Sequence, residues 1–332
     1  MPPKAKTVLV TGACGFIGSH LVEHLLDEGF NVKALVLYNP LNSWGRLDDL
    51  PKEKLKSVEV FLGDVRDLDS LKPAFKKVDM ALHLAALIGI PYSYHSPTAY
   101  LNTNIKGTLN ILQLSREFNL ERTVITSSSE VYGSALYVPM DEKHPLQAQS
   151  PYAASKIAAD KLAESFYLSF QTPMTIIRPF NTYGPRQSAR AVIPTIISQI
   201  LSDVPHINLG NKHPTRDLNY VEDICRGFIE IIKQESTIGK TINICSGNEI
   251  SIGHLAQLIL DLMNSDKKVV YDSTRKRPDK SEVERLLGSN TLLTSLSQWK
   301  QKHSLKEGLQ KTIEWFSNKE NLSHYKPNVY HI

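Results

Sequence analysis

Two apolar patterns alternate along the first half of the chain. Thr7 to Thr11 is a short apolar run, which suits a strand buried on both faces of a parallel sheet. Phe16, Ile17, Leu21, Val22, Leu25 and Leu26 then recur at helical spacing, and Gly29 ends that helix. Asn31 to Leu37 reads as the next strand. Further strands are predicted over Val58 to Leu62, Met80 to Leu84, Arg122 to Ser127 and Met174 to Arg178. Helices over Leu68 to Lys76, Asn104 to Phe118 and Tyr152 to Phe170 separate them. Strands alternating with helices imply an α/β fold with a doubly wound parallel sheet. Ligands of such sheets sit at the carboxyl ends of the strands.

After about Arg186 the alternation loosens. Ala191 to Leu201 reads as a helix, Leu218 to Val221 precedes a helix over Glu222 to Lys233, and Thr241 to Ile244 reads as a strand. The pattern divides the chain into residues 1–185, which carry the regular alternation, and 186–332, mainly a smaller mixed α/β subdomain. Segments of about 215–245 are expected to return to the first domain. The length of 332 residues suits two such units.

Composition narrows the function classes. The net charge of +4 is small for this length and gives no basic stripe for a nucleic acid. The stretch Ala81 to Ile90 is broken by His83 and is far short of the ~20 residues of a membrane span. Met1 to Lys6 is short and polar, without the apolar region of a signal peptide. A cytoplasmic protein is expected. Cys14, Cys225 and Cys245 match no metal spacing, and neither do His206, His213 and His254, so no metal is assigned.

Gly12-Ala-Cys-Gly15-Phe16-Ile17-Gly18 follows the first strand and opens the first helix. Glycines at this spacing allow a sharp turn and bring a pyrophosphate to the helix N-terminus. The end of the second strand reads Val36-Leu-Tyr-Asn39, without the acidic residue that often holds the adenosine ribose. NAD is expected and NADP stays open. Arg46 could face a 2′-phosphate or be a solvated surface charge. Asp64 and Val65 follow the third strand, where a carboxylate could hold the adenine amino group.

Tyr152-Ala-Ala-Ser-Lys156 opens a helix, and residues four apart share a face. An ammonium beside a tyrosine lowers the phenol pKa from about 10, so that the phenolate can take a hydroxyl proton. Upstream, Thr126-Ser-Ser-Ser-Glu-Val-Tyr-Gly133 places serines at a strand end, where one can hydrogen-bond the same substrate oxygen.

The glycine turn, Ser128, Tyr152 and Lys156 resemble the extended short-chain dehydrogenases/reductases, Rossmann-fold enzymes that modify sugar nucleotides. His83-Leu84-Ala85-Ala86, Asn104-Ile-Lys-Gly-Thr108 and Arg178-Pro-Phe-Asn-Thr-Tyr-Gly-Pro185 are similar too. The resemblance runs from about Val8 to Phe316. It implies a catalytic Ser128, Tyr152 and Lys156. It implies cofactor contacts at Gly12, Gly15, Phe16, Ile17, Gly18, Asp64, Val65, Leu84, Ala85, Ala86, Asn104, Tyr152 and Lys156. It also implies a homodimer paired through the helices Asn104 to Phe118 and Tyr152 to Phe170. Four further segments resemble the N-acetylglucosamine nucleotide 4,6-dehydratases of the legionaminic-acid pathway type. They are Val36 to Gly45, Ile90 to Pro97, Arg186 to Pro194 and Arg277 to Arg285.

Glu130 bears on the reaction class. A 4-epimerase needs only hydride removal and return. A 4,6-dehydratase must also abstract the C5 proton and expel the C6 hydroxyl, which calls for a carboxylate near the sugar. Glu130 is expected on the same strand end as Ser128, facing the same side. Glucose-nucleotide dehydratases carry Asp then Glu here, whereas this chain has Ser129. Mannose-nucleotide dehydratases, like this chain, show hydroxyl, Ser, Glu. Uronate-nucleotide decarboxylases also read Ser-Glu-Val-Tyr-Gly, with an arginine holding the substrate carboxylate. Decarboxylation and 4-epimerisation are therefore the alternatives, and a non-catalytic sensor is a remote one.

For the nucleotide diphosphate, the arginines Arg186, Arg216 and Arg277 are candidates, because guanidinium forks match phosphate oxygens. Ser129, Asn181 and Val192 complete the expected substrate contacts. His83 reads as a packed strand-end residue rather than a catalyst.

Overall fold

The computed structural model describes residues 5–327 and residue 329. The expected polar start at Met1 to Lys6 thus lies partly outside the described residues. Val8, Leu9 and Val10 of strand β1 (Thr7–Thr11) have no solvent exposure, as an apolar run covered on both faces requires. Helix α1 (Phe16–Asp27) leads to β2 (Asn31–Val36). Helix α2 (Lys52–Lys56), β3 (Val58–Leu62), α3 (Leu68–Phe75) and β4 (Met80–His83) follow.

The sequence pattern missed the start of the next helical stretch. Short helices α4 (Ile90–His95) and α5 (Pro97–Tyr100) run through a wide π-helical turn (Leu101–Lys106) into α6 (Gly107–Glu117). Pro91 and Pro97 sit in the first turns of α4 and α5, where their missing N–H costs nothing. Helical structure therefore begins well before Asn104, the expected start.

Strand β5 (Arg122–Thr126), helix α7 (Pro151–Phe170) and β6 (Met174–Pro179) complete the regular half. The later part contains β7 (Thr182–Tyr183), α8 (Val192–Ile200), β8 (His206–Leu209), β9 (Thr215–Arg216), β10 (Asn219–Tyr220), α9 (Val221–Lys233) and β11 (Thr241–Ile244). Most expected boundaries fall within a residue or two of these elements.

Seven parallel strands form the sheet, in the order β11-β6-β5-β4-β1-β2-β3. The chain builds outward from β1 to β3, then crosses to β4 on the other side of β1 and builds outward again. The strand order reverses between β1 and β4, which opens a crevice at their carboxyl ends. Thr241–Ile244 does return to the sheet, as its far edge strand beside β6. The smaller pairings β7 with β10, and β9 with Ile250–Ser251, lie past the carboxyl end of β6.

A buried apolar layer joins α1, β1, β2, α8 and α9 through Leu21, Leu25, Val36, Ile196, Ile224 and Phe228. The crevice therefore rests on a packed base, and its walls are the loops after β1, β4, β5 and β6.

Candidate active site

The turn after β1 is shaped by close backbone contacts. Gly12 adopts φ +69°, and a Cβ there would lie 2.7 Å from the Ala85 nitrogen. A Cβ on Gly18 would lie 2.2 Å from the Gly12 oxygen. Leu84 and Ala85 donate their N–H groups to the Thr11 carbonyl and hydroxyl, so the end of β4 seats against this turn. The N-terminus of α1 has no side-chain cap at Gly15 and no acidic residue in its first turn. Its N–H groups and positive dipole end suit a dinucleotide pyrophosphate. Phe16 and Ile17 open the helix and pack partly into the core.

Other expected cofactor contacts also have partners within the protein. Both Asp64 oxygens accept from Arg66 Nε at 2.9 Å, and that partner holds the carboxyl below its usual range. Val65 is buried, with its carbonyl accepting from Asn110 at 2.8 Å. Asn104 donates to the Leu87 carbonyl and the Ser155 hydroxyl and accepts from the Leu87 N–H, at 2.9–3.0 Å. Its amide braces the loop after β4, which carries Ala86, against α7. The reason is the wide turn at Leu101–Lys106, which directs Asn104 inward. Arg46 bonds Asp49 at 3.2 Å and the Tyr325 hydroxyl at 2.9 Å, and faces the Tyr325 and Trp315 rings. Neither a 2′-phosphate contact nor a solvated charge describes it.

Tyr152 lies in the first turn of α7, one residue after Pro151 and two after Ser150, whose hydroxyl caps the helix by accepting from Ala153 N–H at 3.1 Å. Tyr152 is buried against Ile90, Tyr100, Leu87 and Tyr94, with Ser128 close enough to its hydroxyl to influence its titration. Burial pushes the phenol above its usual range, while Ser128 acts in the opposite direction. Lys156, one turn on, donates to the Thr126 carbonyl at 2.8 Å, and burial lowers its ammonium to about 8. In the protein alone, desolvation thus outweighs the expected depression of the tyrosine. His83 is buried between Thr11 and Thr108, at 2.8 and 3.2 Å, and burial brings it to about 3, so it is a neutral packing residue.

Beneath this pair lies a charge network that sequence reasoning missed. Asp160, fully buried, receives Arg178 Nε and Nη2 at 3.1 and 2.9 Å. Arg178 also donates to the Tyr132 hydroxyl at 3.1 Å, which donates to Asn243 at 2.7 Å. The signal was available: Asp160 continues the four-residue spacing of Tyr152 and Lys156 on one helix face.

Glu130 corrects a second expectation. The chain leaves β5 at Thr126 and coils into a single 3-10 turn (Ser129–Tyr132), so strand alternation does not aim Glu130. Ser128 caps that turn by accepting from Glu130 N–H at 3.2 Å. Ser128 thus fixes the backbone of Glu130 at the end of β5. Ser129 is buried in the same turn.

Glu130 is 7% exposed and lies 3.7 Å from Arg277 Nη1. The same nitrogen lies 3.8 Å from Glu282, and Glu282 lies 3.4 Å from Arg216 Nη2. Arg216 and Arg277 are therefore brought together with two carboxylates. Glu282 was not among the expected site residues. Arg186 stands apart from this cluster: it pairs with Glu23 on α1 at 3.1 Å and donates to the Asp49 carbonyl. Its φ of +67° turns the side chain toward α1. The Asn181 side-chain oxygen is buried without a hydrogen-bond partner, an acceptor left for a ligand. Val192 opens α8 and packs partly against the core. Among the described residues no group of three or more His, Cys, Asp or Glu could hold a metal, and no helix is long and apolar enough to cross a membrane.

A dinucleotide crevice at a strand-order switch, with a Ser, Tyr and Lys at its wall, defines an extended short-chain dehydrogenase/reductase. Residues 9–312 match the GDP-mannose 4,6 dehydratase family, and the chain belongs to it. It is 31% identical, over 94% of its length and 98% of the relative's, to a putative UDP-glucose 4-epimerase of Methanocaldococcus jannaschii. It is 32% identical to a human dTDP-D-glucose 4,6-dehydratase, over 97% and 92% of the two chains. A dTDP-glucose 4,6-dehydratase from Streptomyces venezuelae, solved with NAD bound, superposes with a TM-score of 0.85 at 28% identity, covering 97% of this chain and 99% of that one.

Proposed function

We propose that the chain catalyses 4,6-dehydration of a nucleotide-linked N-acetylglucosamine, carried on UDP or GDP, to the 4-keto-6-deoxy sugar nucleotide. The observation that carries this reading is Glu130, a buried carboxylate whose backbone N–H is capped by Ser128 and whose side chain lies 3.7 Å from Arg277. NAD is the proposed cofactor, seated on the Gly12–Gly18 turn. The occupation of Arg46 by Asp49 and Tyr325 supports NAD over NADP. When bound, the dinucleotide supplies the oxidant for C4 and the reductant for C6, so the reaction has no net redox change.

The chain's residues divide the remaining work. Tyr152 takes the C4 hydroxyl proton, with Ser128 bonded to the same oxygen. The Lys156 ammonium stabilises the phenolate. The ketone at C4 makes the C5 proton acidic; Glu130 removes it and passes it to the departing C6 hydroxyl, which leaves as water, and C5 is reprotonated as C6 is reduced, balancing the proton taken from the C4 hydroxyl. Arg216 and Arg277 bind the diphosphate, with Asn181 as a further contact. Pairing of two copies through α6 and α7 belongs to the same proposal.

One observation favours a second reading, 4-epimerisation. Ser129 stands where glucose-nucleotide dehydratases carry an Asp, so a general acid is missing from this turn. Glu130→Gln separates the two. It keeps the shape but removes the base, so a dehydratase should still develop reduced-nicotinamide absorbance with UDP- or GDP-N-acetylglucosamine and then stall. It should also fail to exchange the C5 hydrogen with deuterated solvent. Wild-type enzyme should release a product lighter by one water. A wild-type product of unchanged mass, or C5 exchange at the wild-type rate in the variant, would overturn the dehydratase reading.

A further inference from the structure

Four charged side chains meet where the proposed sugar site adjoins the proposed diphosphate site. Arg216 is 6% exposed, and the side chain of Glu282 is 9% exposed. Arg277 Nη1 lies between Glu130 and Glu282, at 3.7 and 3.8 Å. Glu282 also reaches Arg216 at 3.4 Å. Two carboxylates thus balance two guanidiniums in a buried setting.

Glu282 is held there by the backbone around it. The carbonyls of Lys280 and Glu282 accept from the Gln149 amide at 3.3 and 3.2 Å. Ser134 Oγ accepts from the Glu284 N–H at 3.1 Å, and Tyr94 bonds the Ser281 hydroxyl at 2.7 Å. Ser134 and Gln149 both lie in the stretch of chain between Ser128 and Tyr152. The carboxylate therefore has a fixed place relative to the candidate base.

The arginine nearest Glu130 is consequently already shared by two anions. A neutral C6 hydroxymethyl group entering beside Glu130 leaves this balance untouched. A C6 carboxylate would add a further negative charge beside that of the diphosphate, with repulsion from both Glu130 and Glu282 and one guanidinium nitrogen between them. Charge interactions at such short range in a poorly solvated site are strong enough to discriminate.

We propose that Glu282 is a specificity-determining residue that sets the charge of the sugar site and selects sugar nucleotides neutral at C6 over uronates. This rests on the reading of Glu130 and the two arginines given above. It names the substrate class by charge, and it assigns the selection to a residue outside the catalytic helix.

The test compares two ligands that differ only at C6, N-acetylglucosamine and its uronate, each carried on UDP and on GDP. Taking the ratio of their dissociation constants cancels the contributions of base and diphosphate. Binding is measured by calorimetry on the NAD-loaded protein in a Tyr152→Phe background, which blocks turnover. The protein with Glu282 intact should favour the neutral ligand by at least about tenfold, equivalent to about 1.4 kcal/mol. Glu282→Gln should cut that preference to threefold or less, chiefly by strengthening uronate binding. Glu282→Asp, which keeps the charge, should retain most of it. An unchanged ratio in Glu282→Gln overturns the proposal. Loss of both ligands in Glu282→Gln also overturns it, because Glu282 would then be holding the arginines rather than setting charge. If neither ligand binds the Glu282-intact protein on either base, the sugar-nucleotide reading itself falls, and this proposal with it.

Discussion

Helix α7 and the loop 273–285 both supply charged groups to one site, but they hold them by different means. On α7, Tyr152, Lys156 and Asp160 lie four residues apart on one face and are buried together. The helix backbone sets their spacing, and a buried ion pair with Arg178 anchors the lower end. The loop has only short turns of its own, at Ser273–Arg275 and Asp279–Ser281. Its stretch around Glu282 is tied by side-chain hydrogen bonds: Tyr94 with the Ser281 hydroxyl, the Gln149 amide to the Lys280 and Glu282 carbonyls, and the Glu284 N–H to Ser134. The proposed chemistry thus sits on a rigid element, and the proposed recognition on a segment tied by exchangeable contacts. Changes on α7 should therefore damage turnover or folding, and changes on the loop should damage affinity.

The largest effect should come from Tyr152→Phe. General base catalysis is worth about 100- to 10,000-fold, so turnover should fall by that range while bound dinucleotide, released by denaturation and quantified, stays at the wild-type level. A variant retaining more than a tenth of the wild-type rate would break the assignment of chemistry to α7.

Asp160→Ala should come next, acting on stability. It leaves Arg178 buried without its carboxylate partner, a change that costs about 3–5 kcal/mol. Urea denaturation would read this directly. A loss under 1 kcal/mol would mean that the pair does not anchor the helix.

Lys156 sharpens the comparison through pH. Its ammonium sits at about 8 in the folded chain, against an ordinary 10.5. As pH rises through 8 the charge beside Tyr152 is lost, so the rate of C4 oxidation should decline roughly tenfold per unit on that limb. The stability contribution has the opposite sense. Between pH 8 and 10.5 the unfolded chain binds this proton and the folded chain does not, so this group's contribution to stability rises with pH across that window. A rate that stays flat to pH 9.5 would remove Lys156 from the titrating step.

The smallest effect should be that of Tyr94→Phe. It deletes one hydrogen bond to the loop, worth about 1 kcal/mol. KM should rise about fivefold with kcat nearly unchanged. A fall in kcat with KM unchanged would show that the loop serves the chemical step, contrary to the comparison.

How far this site could be read from the chain follows the same division. β1, the glycine turn and α1 are contiguous, and their apolar run, glycine spacing and helical period are local signals, so the dinucleotide crevice was legible. Tyr152 and Lys156 were legible because a helix turns four residues of sequence into proximity. Asp160 carried the same signal one turn further on. Glu130 was legible as a residue but not in its direction, because a 3-10 turn capped by Ser128 replaced the extended backbone expected there. Asn104 was identified as a cofactor contact from resemblance and Asp64 from its place after the third strand; only the folded chain shows that they also bond Leu87, Ser155 and Arg66.

The chain by itself determined the alternation of strands and helices, the glycine cradle and the spacing of the catalytic helix, because each rests on backbone periodicity within about twenty residues. Only the tertiary structure decided which arginines work together. Arg186 pairs through one nitrogen with Glu23, whereas Arg277 and Glu282 cross more than a hundred positions of sequence to join Glu130 in one charged cluster. Contacts of that kind depend on how loops fold back over the carboxyl ends of the strands. No local period records that packing, and charged side chains on loops look alike in sequence until burial and partners distinguish them.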